Sequence, residues 1–412
     1  MVSLPPARAH APSPLTASPV SPLGDTRTEF AHRETIEDSG DGWATVWRLP
    51  RRDARAERRA NVETLRAYAR TLAPPDSNAA KCGRVLRSSS VHLRRSADGR
   101  ASWDGVVTCG SVWACPCCAG RIQSERVEEL NQLVARGRAD ALGTVMLTLT
   151  VRHAFSHDLR ETRDGLARAW KRFQQSRVWK RVQKSYGVVG FVRAFEVKHG
   201  RTAGWHPHIH VLLLVSEWQD AERDLHAELT GLWRAAVVRE LGREHEPDDE
   251  HGCHVAPAYA AEYVAKMGLE IAYSASKTRG PSRSPFELLE DARRGDAQSR
   301  ALWLAYVKAT KGKRQLEWSR GLRKRFGLGE TTDEELAARA AAEGETTTVL
   351  ELSRSQWEAV HKVNGATTLL ELAETGATTG QLRDAVDHLI RTHKQRLFLA
   401  RLLSEPVIWH SG

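Results

Sequence analysis

The segment GWHPHIHVLLLV, residues 204–215, sets three histidines at alternate positions and then becomes wholly apolar. Residues two apart in an extended strand project from one face, about 6–7 Å from each other, so His206, His208 and His210 present three imidazoles to one side. A metal ion can take two of them. Beyond His210 both faces are apolar, as expected of a central strand covered on both sides. The preceding run GVVGFVRAFEVKH is also strand-like, and the two glycines of the GRTAGW connection suit a hairpin. A turn near Thr202 sets Glu196 opposite His208. Two imidazoles and a carboxylate, with coordination positions left open, suit Mg²⁺ or Mn²⁺ held jointly with a substrate phosphate. The plainer alternative is a row of satisfied polar side chains on a strand.

A second segment, AYAAEYVAKMGLE, sets Tyr259 and Tyr263 four apart on one helical face, with Lys266 three beyond Tyr263. A tyrosine hydroxyl ionises near pH 10, roughly, so nucleophilic attack at neutral pH needs a nearby cation, and Lys266 can supply one. Equally, Tyr259, Tyr263 and Met267 can form an ordinary core stripe while Glu262 pairs with Lys266. Five of the six cysteines fall between Cys82 and Cys118. Cys82, Cys109, Cys115 and Cys118 offer the four thiolates of a closed structural Zn²⁺ site, with Cys117 to spare. His251, Cys253 and His254 also carry ligand atoms but read as incidental on a short strand.

The elements that must hold these groups follow from the pattern. GTVMLTLTVRH is a buried strand, and LRETRDGLARAWKRFQQSRVWKRVQ has helical spacing. The two strands of the hairpin come next, then the long helix WQDAERDLHAELTGLWRAAVVREL, the short strand CHVAP and the tyrosine helix. This order, β-α-β-β-α-β with an extra helix, predicts an α+β fold with an antiparallel central sheet of the ferredoxin-like, split βαβ type. Residues 1–42, rich in Pro, Ala and Ser, are expected to be disordered. Residues 43–140 are expected to form a small zinc-binding module, 141–328 the domain that carries the histidine strand and the tyrosine helix, with a basic aromatic extension, and 329–412 a helical C-terminal region. Within residues 300–328, basic residues alternate with Trp, Tyr and Phe, which suits contacts to nucleic acid or an ordinary solvated amphipathic face.

The 412 residues carry a formal charge of +10 and a pI near 9.5. Arg outnumbers Lys, which favours bidentate contact with phosphate and makes nucleic acid the first partner to test. No secretion signal and no long apolar run occur, so the expected location is the cytoplasm with no membrane partner. A G-x-x-x-x-G-K-[ST] loop is absent, which excludes a nucleotide-driven motor of the P-loop type.

GWHPHIHVLLLV followed some fifty residues later by EYVAKMG resembles the HUH endonucleases, and more closely the replication initiators (Rep) of rolling-circle plasmids from actinobacteria. MLTLTVRH, TCGSVWACPCC and KGKRQLEWSRGLRKRFGL are further points of similarity, so that the resemblance spans about Cys82 to Leu328. It implies an origin-specific single-strand DNA endonuclease and ligase that initiates and terminates rolling-circle replication through a 5′-phosphotyrosine intermediate. His208 and His210 match the paired metal ligands, with His206 an additional candidate; Tyr263 matches the nucleophile and Lys266 its lysine. Where some relatives carry a glutamate for termination, this chain has Tyr259, which leaves Tyr259 or Glu262 for that role. The implied partners are the plasmid origin, a host helicase, single-strand binding protein and DNA polymerase. A transposase or conjugative relaxase with the same chemistry, or a non-catalytic zinc-finger DNA-binding protein, are the alternatives.

Overall fold

A computed structural model of the chain describes residues 54–217, 221–257, 282–339 and 346–404. The expected N-terminal tail, and Tyr259, Glu262, Tyr263 and Lys266, lie outside the described residues.

The central antiparallel sheet is built from β3 (Gly143–Thr150), β4 (Val188–Gly200), β5 (Gly204–Val215) and β6 (Cys253–Pro257), in the order β6-β3-β5-β4. Helices α4 (Leu159–Gln175) and α5 (Arg177–Ser185) lie between β3 and β4, and α6 (Ala221–Leu241) between β5 and β6. Each strand–helix–strand unit therefore has a strand of the other inserted between its own two. The α4–α5 stretch, expected as one helix, is broken at Ser176, whose hydroxyl accepts from Trp179 N–H at 3.0 Å and so caps a new helix. Two short strands extend the sheet beyond β4: β7 (Ser282–Arg283) and β8 (Leu316–Trp318), which pairs with Val192–Ala194.

Alternation along the strands divides the core. Leu147, Leu149, Val197, Ile209, Val211 and Leu213 share one apolar cluster with Leu166 and Phe173 of α4 and Leu229 and Trp233 of α6. Trp233 is fully buried, and its indole N–H donates to Thr150 O at 2.7 Å. The other parity, Met146, Val192, Leu212 and Leu214, packs with Leu130, Leu133 and Val134 of α3 (Pro116–Ala139). His206, His208 and His210 belong to this second parity, beyond the part of the face that these apolar residues occupy.

A second sheet contradicts part of the expected layout. β1 (Ser90–Ser96) pairs with β2 (Ala101–Asp104) on one side and with β9 (Thr346–Ser353) on the other, all antiparallel. The C-terminal region is thus not purely helical: the β-branched run TTTVLEL forms a strand. This sheet has its own core, in which Val91, Leu93, Trp103 and Leu352 pack with Trp357, Val360, Leu369 and Leu382 from helices Arg354–Lys362, Gly365–Glu374 and Thr379–Ser404. Residues on either side of the central sheet therefore build one structural body, although the sequence suggests two.

Three of the four aromatic residues of 300–328 are also placed differently from expectation, Trp318 being half-buried under Arg323. Trp303, Tyr306 and Phe326 are 2%, 1% and 5% exposed. Trp303 and Tyr306 share the buried face of the helix Ala297–Thr310, and burial pushes the Tyr306 hydroxyl far above its ordinary range. They are core residues and cannot stack on bases. Among the described residues, no helix is long and apolar enough to cross a membrane.

Candidate metal centres and their surroundings

The β4–β5 ladder pairs Glu196 with His208, Ala194 with His210 and Lys198 with His206. Paired residues in an antiparallel ladder share a face, so the carboxylate and the imidazoles are delivered to one point by register alone. Glu196 Oε2 lies 3.1 Å from His208 Nε2 and 3.0 Å from His210 Nε2. All three side chains are buried. Their other contacts orient them: His208 Nδ1 is 3.4 Å from His206 O, and Thr148 Oγ1, in the paired position on β3, is 3.1 Å from His210 Nδ1. A His208 ring that donates Nδ1–H to a carbonyl turns the lone pair of Nε2 toward the carboxylate, two acceptors facing each other at 3.1 Å. Only a proton or a cation between them makes that contact favourable. Neighbouring ligands about 2.1 Å from an octahedral ion are about 3.0 Å apart, which matches these separations. Glu196, His208 and His210 can therefore hold a metal ion.

His206 does not join this group. Its ring stacks on His153, with centroids 4.4 Å apart and 11° between planes. Burial, with the neighbouring His208 and His153, lowers its pKa to about 4. Lys198 Nζ stands 3.5 Å from Glu196 Oε1. Sequence reasoning missed Thr148, His153 and Lys198; of these only Lys198 carries a readable signal, two residues from Glu196 on the same strand face.

The cysteines come from three separate elements. Cys82 ends the short helix Asn78–Lys81, Cys109 lies in the loop after β2, and Cys115 and Cys118 flank the Pro116 start of α3, where proline is favoured because its missing N–H has no intrahelical role. Sulfur separations are 3.7 Å for Cys82–Cys115, 3.6 Å for Cys82–Cys118 and 3.7 Å for Cys109–Cys118. Thiolates about 2.3 Å from a tetrahedral ion are about 3.8 Å apart, so this group too is spaced for a metal. The contact from Cys109 draws the thiols of Cys82 and Cys118 below their ordinary range and pushes Cys115 up. Buried Arg66 stays protonated against the cost of burial because Cys117, Glu63, Cys115 and Cys82 surround it. Cys117 is outside the group, its sulfur 3.5 Å from Glu63 Oε1. Cys253 is buried in the sheet, its thiol pushed up to about 12 by burial, and His251 and His254 are exposed. None of these three belongs to either group.

Residues 104–239 match the family described as Replication protein. That span runs from the end of β2 to α6 and includes Glu196, His208 and His210. The chain is 28% identical over 369 residues to "Protein rep" of Streptomyces lividans, covering 71% of this chain and 80% of that protein. It is 29% identical over 159 residues to "Neomycin resistance protein" of Streptomyces cyanogenus, 33% of this chain and 36% of the relative. No solved structure matches. With a replication-protein match enclosing the His-Glu group and a relative named Rep aligned over most of its length, the chain is similar to plasmid replication initiators of the actinobacterial type.

Proposed function

We propose that this protein is an origin-specific single-strand DNA endonuclease and ligase that initiates and terminates rolling-circle plasmid replication in the cytoplasm. The observation that carries the reading is the convergence of Glu196, His208 and His210 on the inner strands of an antiparallel sheet whose order, β6-β3-β5-β4, is that of a split βαβ, ferredoxin-like fold. In an HUH endonuclease the nicking chemistry is centred on such a His-x-His strand.

In this reading Glu196, His208 and His210 hold Mg²⁺ or Mn²⁺, which when bound supplies charge to polarise the scissile phosphodiester. Thr148 and the His206 carbonyl fix the two imidazoles with Nε2 facing inward. The Tyr263 hydroxyl attacks phosphorus, forming the Tyr–O–P bond while the P–O3′ bond breaks, and the leaving 3′-oxygen takes up a proton. Lys266 lowers the cost of the developing phenolate. The free 3′-hydroxyl then primes a host polymerase, a host helicase opens the duplex, and single-strand binding protein covers the displaced strand. Attack of a 3′-hydroxyl on the phosphotyrosine reverses the exchange and closes the circle without nucleotide hydrolysis. Tyr259 or Glu262 serves the terminating cleavage. Cys82, Cys109, Cys115 and Cys118 hold a structural Zn²⁺ that ties α3 to the segment preceding β1.

The test is incubation of the protein and Mn²⁺ with an origin-bearing single-stranded oligonucleotide. Cleavage with a covalent protein–DNA adduct is expected, and neither with Tyr263→Phe. A Tyr263→Phe protein that still cleaves and still forms the adduct would overturn the assignment. A transposon end or a transfer origin cleaved in preference to the plasmid origin would favour a transposase or relaxase. A zinc-finger DNA binder would form no adduct with any metal.

A further inference from the structure

Phe155 is 56% exposed, yet the turn that carries it is tightly held. Gly204, the first residue of β5, has φ of +74°, and a Cβ there would lie 2.7 Å from Phe155 Cα. The turn thus packs on the strand that leads into His206 and His208. The Phe155 ring meets His199 edge-on, centroids 6.2 Å apart at 75°, and His199 in turn meets Trp205 at 4.8 Å and 82°.

His199 is only 2% exposed, and its Nδ1 is buried without a hydrogen-bond partner. It lines a cavity of about 430 Å³ together with Arg201, Arg283, Asp291, Arg294 and Asp296, a volume within the ordinary range of small-ligand sites. The carboxylates of this cavity are already matched. Arg283 lies 3.3 Å from Asp291 and 3.9 Å from Asp296, and Arg294 is 2.9 Å from Glu290. Arg201, exposed in the β4–β5 turn, has no carboxylate partner among the described residues. The unmatched groups are one guanidinium and one buried imidazole nitrogen, a donor set for phosphate oxygens. An exposed aromatic face beside a phosphate-binding cavity is what unpaired nucleic acid requires, because a base and its phosphodiester are adjacent. Bases within a duplex are already stacked and do not present a face to Phe155.

We propose that Phe155, His199 and Arg201 form a nucleotide subsite for single-stranded DNA, in which an unpaired base stacks on Phe155 and its phosphate enters the cavity at His199 and Arg201. His199 follows Glu196 by three residues on β4, so its ring projects from the opposite face of the sheet, at the turn end of the β4–β5 hairpin. The subsite rests on the single-strand nicking reading above.

The test is fluorescence anisotropy of labelled oligothymidylate with the full chain, without added divalent metal. Phe155→Ala is expected to weaken binding about tenfold, and Phe155→Trp to preserve it. Arg201→Ala is expected to weaken it and to reduce the slope of log affinity against log salt by roughly 0.7. Binding to duplex DNA is expected to be unaffected by Phe155→Ala. Phe155→Ala and Arg201→Ala proteins that fold, by circular dichroism, and bind oligothymidylate as the parent does would overturn the subsite, whatever the cleavage assay shows. If both weaken binding while the parent cleaves no origin strand, the nicking reading falls and the subsite stands.

Discussion

The Thr148 hydroxyl lies 3.1 Å from Nδ1 of His210, the ring whose other nitrogen meets Glu196. A partner of this kind fixes the tautomer and orientation of a ligating histidine, and its loss usually lowers metal affinity by about 10–100-fold. Thr148→Val removes the hydroxyl at nearly constant volume. Calorimetric titration with Mn²⁺ is expected to show that loss with the melting temperature little changed; an unaltered Mn²⁺ affinity would remove Thr148 from the site.

The four-cysteine group predicts its own stoichiometry. Metal analysis of the purified chain is expected to find about one Zn²⁺ per molecule. Cys117→Ser should retain it, because Cys117 lies outside the four-sulfur group and its thiol donates to Glu63. Cys82→Ser should lose it and melt at a clearly lower temperature, since Cys82 contacts both Cys115 and Cys118. Zinc retained in Cys82→Ser at parental stability would contradict the ligand set.

Acid should loosen the body built around the second sheet. His361 Nε2 is 3.0 Å from Gly83 O, and burial, together with the nearby positive charge of Arg70, lowers its pKa to about 4. A histidine whose folded pKa lies below its unfolded value, about 6.5, binds its proton more readily when unfolded. Its contribution is intact above about pH 6.5 and is lost as the pH falls toward 4. Thermal melts of the parent and of His361→Gln between pH 7 and 4 are expected to converge as the pH falls. Parallel curves would show that His361 is not the group responsible.

Gly204→Ala should be costly. The left-handed backbone costs a non-glycine residue about 1–2 kcal/mol, before the contact with Phe155 is counted. Urea denaturation is expected to show at least that loss, with weakened oligothymidylate binding as the Phe155 turn is displaced. A neutral substitution would mean that this turn does not rest on β5.

The His-Glu group was readable because it is local. A period of two and a hairpin turn suffice to place Glu196 against His208. Thr148 was not readable, because it reaches His210 through a ladder to a strand some sixty residues earlier, and nothing in MLTLT marks one threonine over another. Trp303 and Tyr306 were read as part of a DNA face or of a solvated amphipathic face, since basic residues surround them in the sequence; their burial in the core fits neither. β9 was hidden because its partner, β1, lies far upstream, and only that pairing gives TTTVLEL a sheet to join.

The pairing of β1 with β9 sets an order of events during synthesis. Until residues 346–353 leave the ribosome, β1 has a free edge and Val91 and Leu93 lack the partners that cover them. The four long strands of the central sheet, β3 to β6, are all present by Pro257 and can pair much earlier. A chain interrupted between these points carries the strands of its His-Glu group folded and an unpaired edge exposed, the kind of surface that recruits chaperones or aggregates. Completion of this sheet therefore waits for residue 353 and separates chains that have reached it from shorter unfinished copies.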